Sequence, residues 1–422
     1  MNIFRRLLAI SLGAGIATVG FHFVRDIGRQ GGFGSYWESR ENVSEIRTAL
    51  GLINSYYVEA DSAELDALTE RALVGMIEDL DPYSEYLNFD RLKQLDEETS
   101  QEFGGIGVQV EMRDEFLTVV APLEGSPGER AGLLRGDRIV GVDGESIEGL
   151  GLAESVSELK GKPGTQVAIL VERDGRDDRF ELEVVRELIE VDNVHGAVLL
   201  DDGIGYLRIS QFGKRTGEEL EEAIASLQDE GMRALALDLR NNPGGLLDVA
   251  VEVAEKFLPE GELIVYTKGR HESMNEEWYS ENGDDPYAFP VAILINPGSA
   301  SASEIVAGAL KDSERATLIG EKTFGKGSVQ SILPLGGNSG LKLTTAKYYT
   351  PGGYVIHENG VEPDIEVEIT PEDEGRLAIQ RNRLDTMPIE EFVERYDFEP
   401  IEDVQLKAAK ELLLEKLGTQ SQ

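Results

Sequence analysis

Val291-Ala292-Ile293-Leu294-Ile295-Asn296-Pro297-Gly298-Ser299-Ala300-Ser301-Ala302-Ser303-Glu304 and the helical run to Lys311 decide the fold class of this 422-residue chain. Five consecutive apolar residues, bounded by a turn, read as a strand covered on both faces. Asn-Pro-Gly then breaks the run, and Ser303–Lys311 has helical spacing. The same strand, turn, helix order occurs upstream. Gly205–Ile209 reads as a strand followed by a helix over Thr216–Glu230, and Ala234–Leu239 as a strand followed by a helix over Leu247–Phe257. Such alternation argues an α/β layered core. The acidic segment 268–288 reads as a surface loop, and an amphipathic helix over about Glu402–Leu417 closes the chain.

Toward the N-terminus the grammar changes. Arg5 and Arg6 precede an apolar stretch from Leu7 to Val24, the pattern of an export signal or of an uncleaved anchor. Residues 27–42 read as a linker. Ile46, Leu50, Ile53 and Tyr57, then Leu65, Leu68, Ala72 and Met76, recur at helical spacing up to Asp81-Pro82. The segmentation expected is 1–26 export segment, 27–42 linker, 43–100 N-terminal helices, 101–187 a small β-rich domain, 188–370 the α/β core and 371–422 C-terminal helices.

Composition excludes several functions. A net charge of −40 repels phosphate backbones, so nucleic acid is not expected as a partner. Without cysteine there is no disulfide, thiolate nucleophile or cysteine metal site. The four histidines, His22, His195, His271 and His357, are too scattered for a metal cluster, and no metal or cofactor is expected.

In the β-rich segment, Phe103-Gly104-Gly105-Ile106-Gly107-Val108 resembles the carboxylate-binding loop of PDZ domains. A chain-terminal carboxylate needs several backbone N–H donors in one concavity, which glycines permit; the strand that follows pairs with the peptide. Gly125-Ser126-Pro127, Ala131-Gly132-Leu133, Gly136-Asp137-Arg138-Ile139 and Val142-Asp143-Gly144 agree with that resemblance. Gly104, Gly105, Ile106, Gly107 and Val108 are the candidate peptide-binding residues.

Two glycine-bearing turns of the core, Asp238–Gly245 and Asn296–Glu304, each lie between a strand and a helix. There, backbone N–H groups can stabilise an oxyanion and a serine can act as nucleophile. No histidine lies near the second turn. Lys326, in Thr323-Phe324-Gly325-Lys326-Gly327-Ser328-Val329-Gln330, can serve as base if a dry pocket keeps it neutral; glycines flank it, and Phe324 and Val329 are nearby in sequence. Composition alone does not choose among Ser299, Ser301 and Ser303.

These motifs together, with Leu80–Leu87, Ser299–Asp312, Tyr349–Gly353 and Gly360–Ile365, resemble the carboxy-terminal processing (tail-specific) peptidases. The resemblance covers about residues 43–369. It implies a crotonase-like α/β protease core with an inserted PDZ domain and N-terminal helices. It also implies Ser301 as nucleophile and Lys326 as general base, with Gln330 orienting the amine if that segment is helical. Ala302 and a glycine of the Gly244-Gly245 pair form the implied oxyanion hole, and Asp312 is structural. The implied partners are protein substrates with accessible C-termini, in the periplasm or cell envelope and with a membrane tether. The C-terminal helix is a candidate surface for self-association or an adaptor. Three competing readings stay in view. A catalytically silent PDZ scaffold would have lost the serine or the lysine; an acyl-CoA enzyme has no use for a peptide-binding module; a serine–histidine–aspartate protease needs a histidine that the chain lacks upstream of the module.

Overall fold

The structure, a computed structural model, describes residues 40–420 apart from 101, 114, 124, 177, 191, 282–285, 337–338 and 384–387. The export segment and the linker as far as residue 39 lie outside the described residues. Among the described residues, no helix is long and apolar enough to cross a membrane.

The chain forms two compact units. One comprises the described residues up to Gln94 with Thr267–Glu276 and Ser328–Lys347. Its helices run Arg40–Tyr56 and Leu65–Glu78, in agreement with the apolar spacing. Ile46, Ile53, Tyr57, Leu65 and Met76 of that pattern are nevertheless exposed, whereas Ile77 and Ala63 are buried. The Leu80–Leu87 motif makes a side-chain-closed turn. Asp81 Oδ1 accepts from the Tyr83 and Ser84 amides at 2.8 and 2.9 Å, and Asp81 Oδ2 accepts from Ser84 Oγ at 2.7 Å. Burial would raise the Asp81 carboxyl, but these bonds and one from Thr344 outweigh it and hold the pKa below its ordinary value. The strand Glu85–Leu87 then pairs antiparallel with Gly340–Lys342 of the hairpin Ser328–Gly336/Ser339–Tyr349.

The second unit holds the α/β core and the β-rich module. Core strands are β1 (Val194–Leu200), β2 (Ile204–Ile209), β3 (Ala234–Asp238), β4 (Val291–Ile295), β5 (Ala316–Gly320) and β6 (Ile365–Glu366). They lie side by side in that order; β1 and β2 are antiparallel and every later pair is parallel. Every residue of β3 and β4 is buried, as the unbroken apolar runs require. Helices α1 (Thr216–Asp229), α2 (Leu247–Glu255) and α3 (Ala302–Asp312) follow β2, β3 and β4. After β6 come α4 (Pro371–Arg383), α5 (Ile389–Tyr396) and α6 (Val404–Gln420). Alternate residues of the central strands, Ala234, Ala236, Ala292 and Leu294, pack on Ala409 and Leu413 of α6. The C-terminal helix thus covers one face of its own sheet.

Segment 268–288 is not the uninterrupted loop expected from its acidity. The strand Leu263–Gly269 runs into it, and Glu277–Tyr279 pairs antiparallel with Leu263–Tyr266. Trp278 and Tyr279 supply the β-forming residues that its charge obscured; residues 282–285 lie outside the described residues.

The β-rich module is an antiparallel sheet with Val108–Arg113 at its edge, then Phe116–Pro122, Arg138–Val142, Gln166–Glu172 and Phe180–Val185. Its one long helix, Leu152–Leu159, has the bounds expected from the sequence. Ile106 is buried in the module's core and Val108 packs against it. Gly107 has φ +67°, and a Cβ there would come 2.4 Å from Ser126 Cβ. Among the described residues, Val108–Arg113 pairs with a strand on one side only, the geometry that strand addition uses.

Candidate active site

The turn after β3 and the turn after β4 meet. Asn242, fully buried, accepts at its main-chain oxygen from the Ala300 amide and from Ser303 Oγ, both at 2.9 Å. Its side chain donates to the Ile209 carbonyl at 2.9 Å and accepts the Gly244 amide at 2.9 Å. Gly244 has φ +105°, and a Cβ there would stand 2.7 Å from Ser301 Cβ and 3.0 Å from Ala302 N. Only glycine fits between the two turns at this point. One residue on, a Cβ at Gly245 would strike the Phe212 carbonyl at 2.2 Å.

The three serines now separate. Ser299 and Ser303 are fully buried and commit their hydroxyls to the Leu239 and Asn242 carbonyls. Ser301 is part-exposed and sits immediately before α3 with φ +55° and ψ −114°. A non-glycine residue held in such a region costs roughly 1–3 kcal/mol, and the surrounding bonds must hold it there.

Glu304 supplies much of that restraint. Fully buried in the first turn of α3, it accepts four hydrogen bonds. Oε2 takes the amides of Ser301 and Lys326 at 2.8 and 2.9 Å; Oε1 takes Thr323 Oγ1 at 2.5 Å and the Gly325 amide at 2.8 Å. Both lone-pair positions of each oxygen face a donor, so the side chain acts as an anion at a helix N-terminus. Burial pushes its carboxyl above the ordinary value, and the four bonds pull against that. Because one oxygen serves both amides, the backbones of Ser301 and Lys326 lie within hydrogen-bond reach of a common atom, 25 residues apart in the chain. Glu304 was missed as a site residue, although Ser301-x-x-Glu304 spells the pattern in which a glutamate reaches back to the amide before a helix.

Phe324 is 61% exposed, and the residues on either side of it, Thr323 and Gly325, donate to Glu304. One expectation needs correction. Gln330 is not on a helix with Lys326. Ser328–Gly336 is a strand paired with Ser339–Lys347, as its β-branched and alternating residues favour. Gln330 Nε2 donates to Ser328 Oγ at 2.8 Å and Thr344 Oγ1 at 3.4 Å.

Residues 203–367 match peptidase family S41, and residues 104–184 match the PDZ domain. The carboxy-terminal-processing protease of Bartonella bacilliformis is 45% identical over 305 residues, which are 71% of this chain and 70% of that protein. The chain belongs to peptidase family S41. The CtpA carboxy-terminal processing protease of Bacillus subtilis is 38% identical over 75% of this chain, which spans 66% of that relative's length. Among solved structures, the photosystem II D1 C-terminal processing protease aligns over 76% of this chain and 92% of its own, at 29% identity and TM-score 0.45. The S41 match contains both turns, Ser301, Glu304 and Lys326, and the PDZ match contains Gly104, Gly105, Ile106, Gly107 and Val108. The chain is therefore a serine-type peptidase of the C-terminal processing kind carrying a PDZ domain.

Proposed function

We propose that this peptidase cuts exported proteins near their C-termini with Ser301 as nucleophile and Lys326 as general base. The observation that carries the reading is the shared Glu304 oxygen, which holds the Ser301 and Lys326 amides together at 2.8 and 2.9 Å. In this mechanism neutral Lys326 takes the Ser301 hydroxyl proton as Oγ attacks the scissile carbonyl carbon. The Ala302 and Gly245 amides receive the oxyanion. Gly245 is preferred to Gly244, whose N–H is already given to Asn242 Oδ1. Collapse expels the amine, which leaves with the proton from Lys326; water activated by the same lysine then hydrolyses the acyl-enzyme. Gln330 is the assisting residue that the resemblance to the family implies.

The PDZ loop Gly104–Val108 and its edge strand take the substrate's terminal carboxylate and last residues. Arg5, Arg6 and the apolar run 7–24 support export to the periplasm or envelope, with the run retained as an anchor or removed. Purified Ser301→Ala and Lys326→Ala, assayed on a fluorogenic peptide with a free C-terminus, should each lose about 10⁴-fold or more in turnover with the unfolding midpoint kept. Normal turnover by either variant removes the assignment.

A further inference from the structure

We propose that Glu374, on α4, is a positioning residue that keeps the oxyanion turn and the nucleophile turn in register. The role rests on the Ser301 reading above. Asn241 and Asn296 fasten the two turns to each other. The Asn241 amide donates to Asn296 Oδ1 at 2.8 Å, Asn296 Nδ2 donates to Asn241 Oδ1 at 3.1 Å, and the Gly298 amide also donates to Asn296 Oδ1 at 3.0 Å. An asparagine amide has nearly the same shape either way round, so this fastening works only if something selects its polarity. The Asn241 and Gly298 amides do so for Asn296, and Glu374, whose carboxylate accepts, does so for Asn241 and reinforces Asn296. Glu374 Oε1 takes Asn241 Nδ2 at 2.6 Å and Asn296 Nδ2 at 3.2 Å, which leaves both Oδ1 atoms facing the donors of the opposite turn.

Glu374 is itself anchored. Arg381, one α4 face along, donates to Glu374 Oε1 at 3.2 Å and to Asp238 Oδ2 at 3.4 Å. Asp238 also binds Arg240, which is fully buried and gives its remaining guanidinium donors to Asp403 and Gln405 at the start of α6. Asn241 immediately precedes Asn242, which holds the Gly244 and Ala300 amides. A shift of Asn241 is therefore passed through Asn242 to Gly244 and Ala300, the chain neighbours of Gly245 and Ser301. Glu374, Arg381, Asp403 and Gln405 all lie beyond residue 367, where the S41 match ends. The geometry of the catalytic turns is thus held from outside the segment that defines the family.

The test uses the full chain with fluorescein-labelled casein as substrate and a fluorophosphonate probe of Ser301. Glu374→Ala should lower kcat and the labelling rate together by about 10- to 100-fold, the scale of a small misplacement of reacting groups. KM, the melting temperature and the affinity of the PDZ domain for a C-terminal peptide should stay near wild type. Glu374→Gln, which retains the accepting Oε1, should recover most of that loss, and Asn241→Ala should reproduce it. Wild-type kcat in Glu374→Ala overturns the proposal. So does a fall in kcat, KM, melting temperature and peptide affinity together, or an unfolded Glu374→Ala beside a folded, fully active Asn241→Ala. Ser301→Ala is run in parallel: if it stays active, the site reading fails and this role with it, whereas a dead Ser301→Ala beside a normal Glu374→Ala removes the positioning role alone.

Discussion

Glu304→Gln is the substitution that tests the site most sharply, because it keeps shape and removes charge. The carboxylate accepts two donors on each oxygen. A glutamine must place its NH₂ where one of those oxygens was, so two donors would face two donors. Turned toward Ser301 and Lys326, the NH₂ strands two backbone amides at about 1–3 kcal/mol each. Turned toward Thr323 and Gly325, it strands one amide, because the Thr323 hydroxyl can rotate to accept. The second orientation is cheaper, so the expected loss is about 1–3 kcal/mol in urea unfolding, with Oε1 still on Ser301 and Lys326 and kcat only modestly reduced. Glu304→Ala strands all four donors and should cost more than twice as much and abolish turnover. The pH dependence has a definite sign. Because its carboxyl is raised above the ordinary value, at pH between the ordinary and the raised value Glu304 is protonated to a greater extent in the folded than in the unfolded state. Stability contributed by this group therefore falls as pH rises from the ordinary to the raised value; Glu304→Gln should flatten that slope. If Glu304→Gln matches wild type within about 0.5 kcal/mol and in kcat, the side chain is a neutral acid at working pH and the four-donor argument is refuted.

Gly244→Ala forces a Cβ to within 2.7 Å of Ser301 Cβ at φ +105°. It should lower kcat by about 10²-fold or more, while binding of a C-terminal peptide to the PDZ domain is unchanged; retention of more than half the activity would mean the turns are not in contact. Leu413→Ala empties a fully buried position against β3 and β4 and should cost about 2–5 kcal/mol by urea unfolding. A cost below about 1 kcal/mol would show that α6 is not part of the core.

The α/β core was legible because its signals are local. Val291–Ile295 and Ala234–Leu239 are unbroken apolar runs followed by turns, and runs of that kind have few other uses. The helix Leu152–Leu159 was readable for the same reason. What stayed hidden depends on partners far apart in sequence. Composition does not distinguish Ser301 from Ser299 and Ser303; what separates the hydroxyls is that Leu239 and Asn242, 60 and 61 residues upstream, supply carbonyls to the other two. The same holds for Gly244 and Gly245, which are equivalent in sequence until Asn242 takes the N–H of the first. Helical spacing in Ile46–Met76 gave the helices but not the buried face, since a repeat of 3.6 fixes which residues align and not what lies opposite them. The helical condition attached to Gln330 is not met, because a four-residue separation aligns two side chains only where a helix exists, and Ser328–Gly336 is a strand.

A net charge of −40 does not by itself weigh against a lysine base. Charges more than about 8–10 Å away are largely screened at physiological ionic strength, so the surface total says little about one amine. The carboxylate that matters is Glu304, which touches the Lys326 amide. An unattended anion there would favour an ammonium. Here each of its oxygens is surrounded by donors, two of them from the lysine loop's own backbone at Gly325 and Lys326 and one from Thr323. Those dipoles point their positive ends at the carboxylate and screen it from the side chain beyond. On the Ser301–Lys326 reading, the carboxylate that ties the two backbones together is one whose charge is offset by fixed donors, and removing a donor while leaving the carboxylate should impair catalysis. Thr323→Val, which deletes the 2.5 Å donor to Oε1 and leaves Glu304 in place, is the change that isolates this effect. On that reading it lowers kcat by about 10-fold or more with the melting temperature kept, whereas wild-type kcat would show that this donor has no part in catalysis.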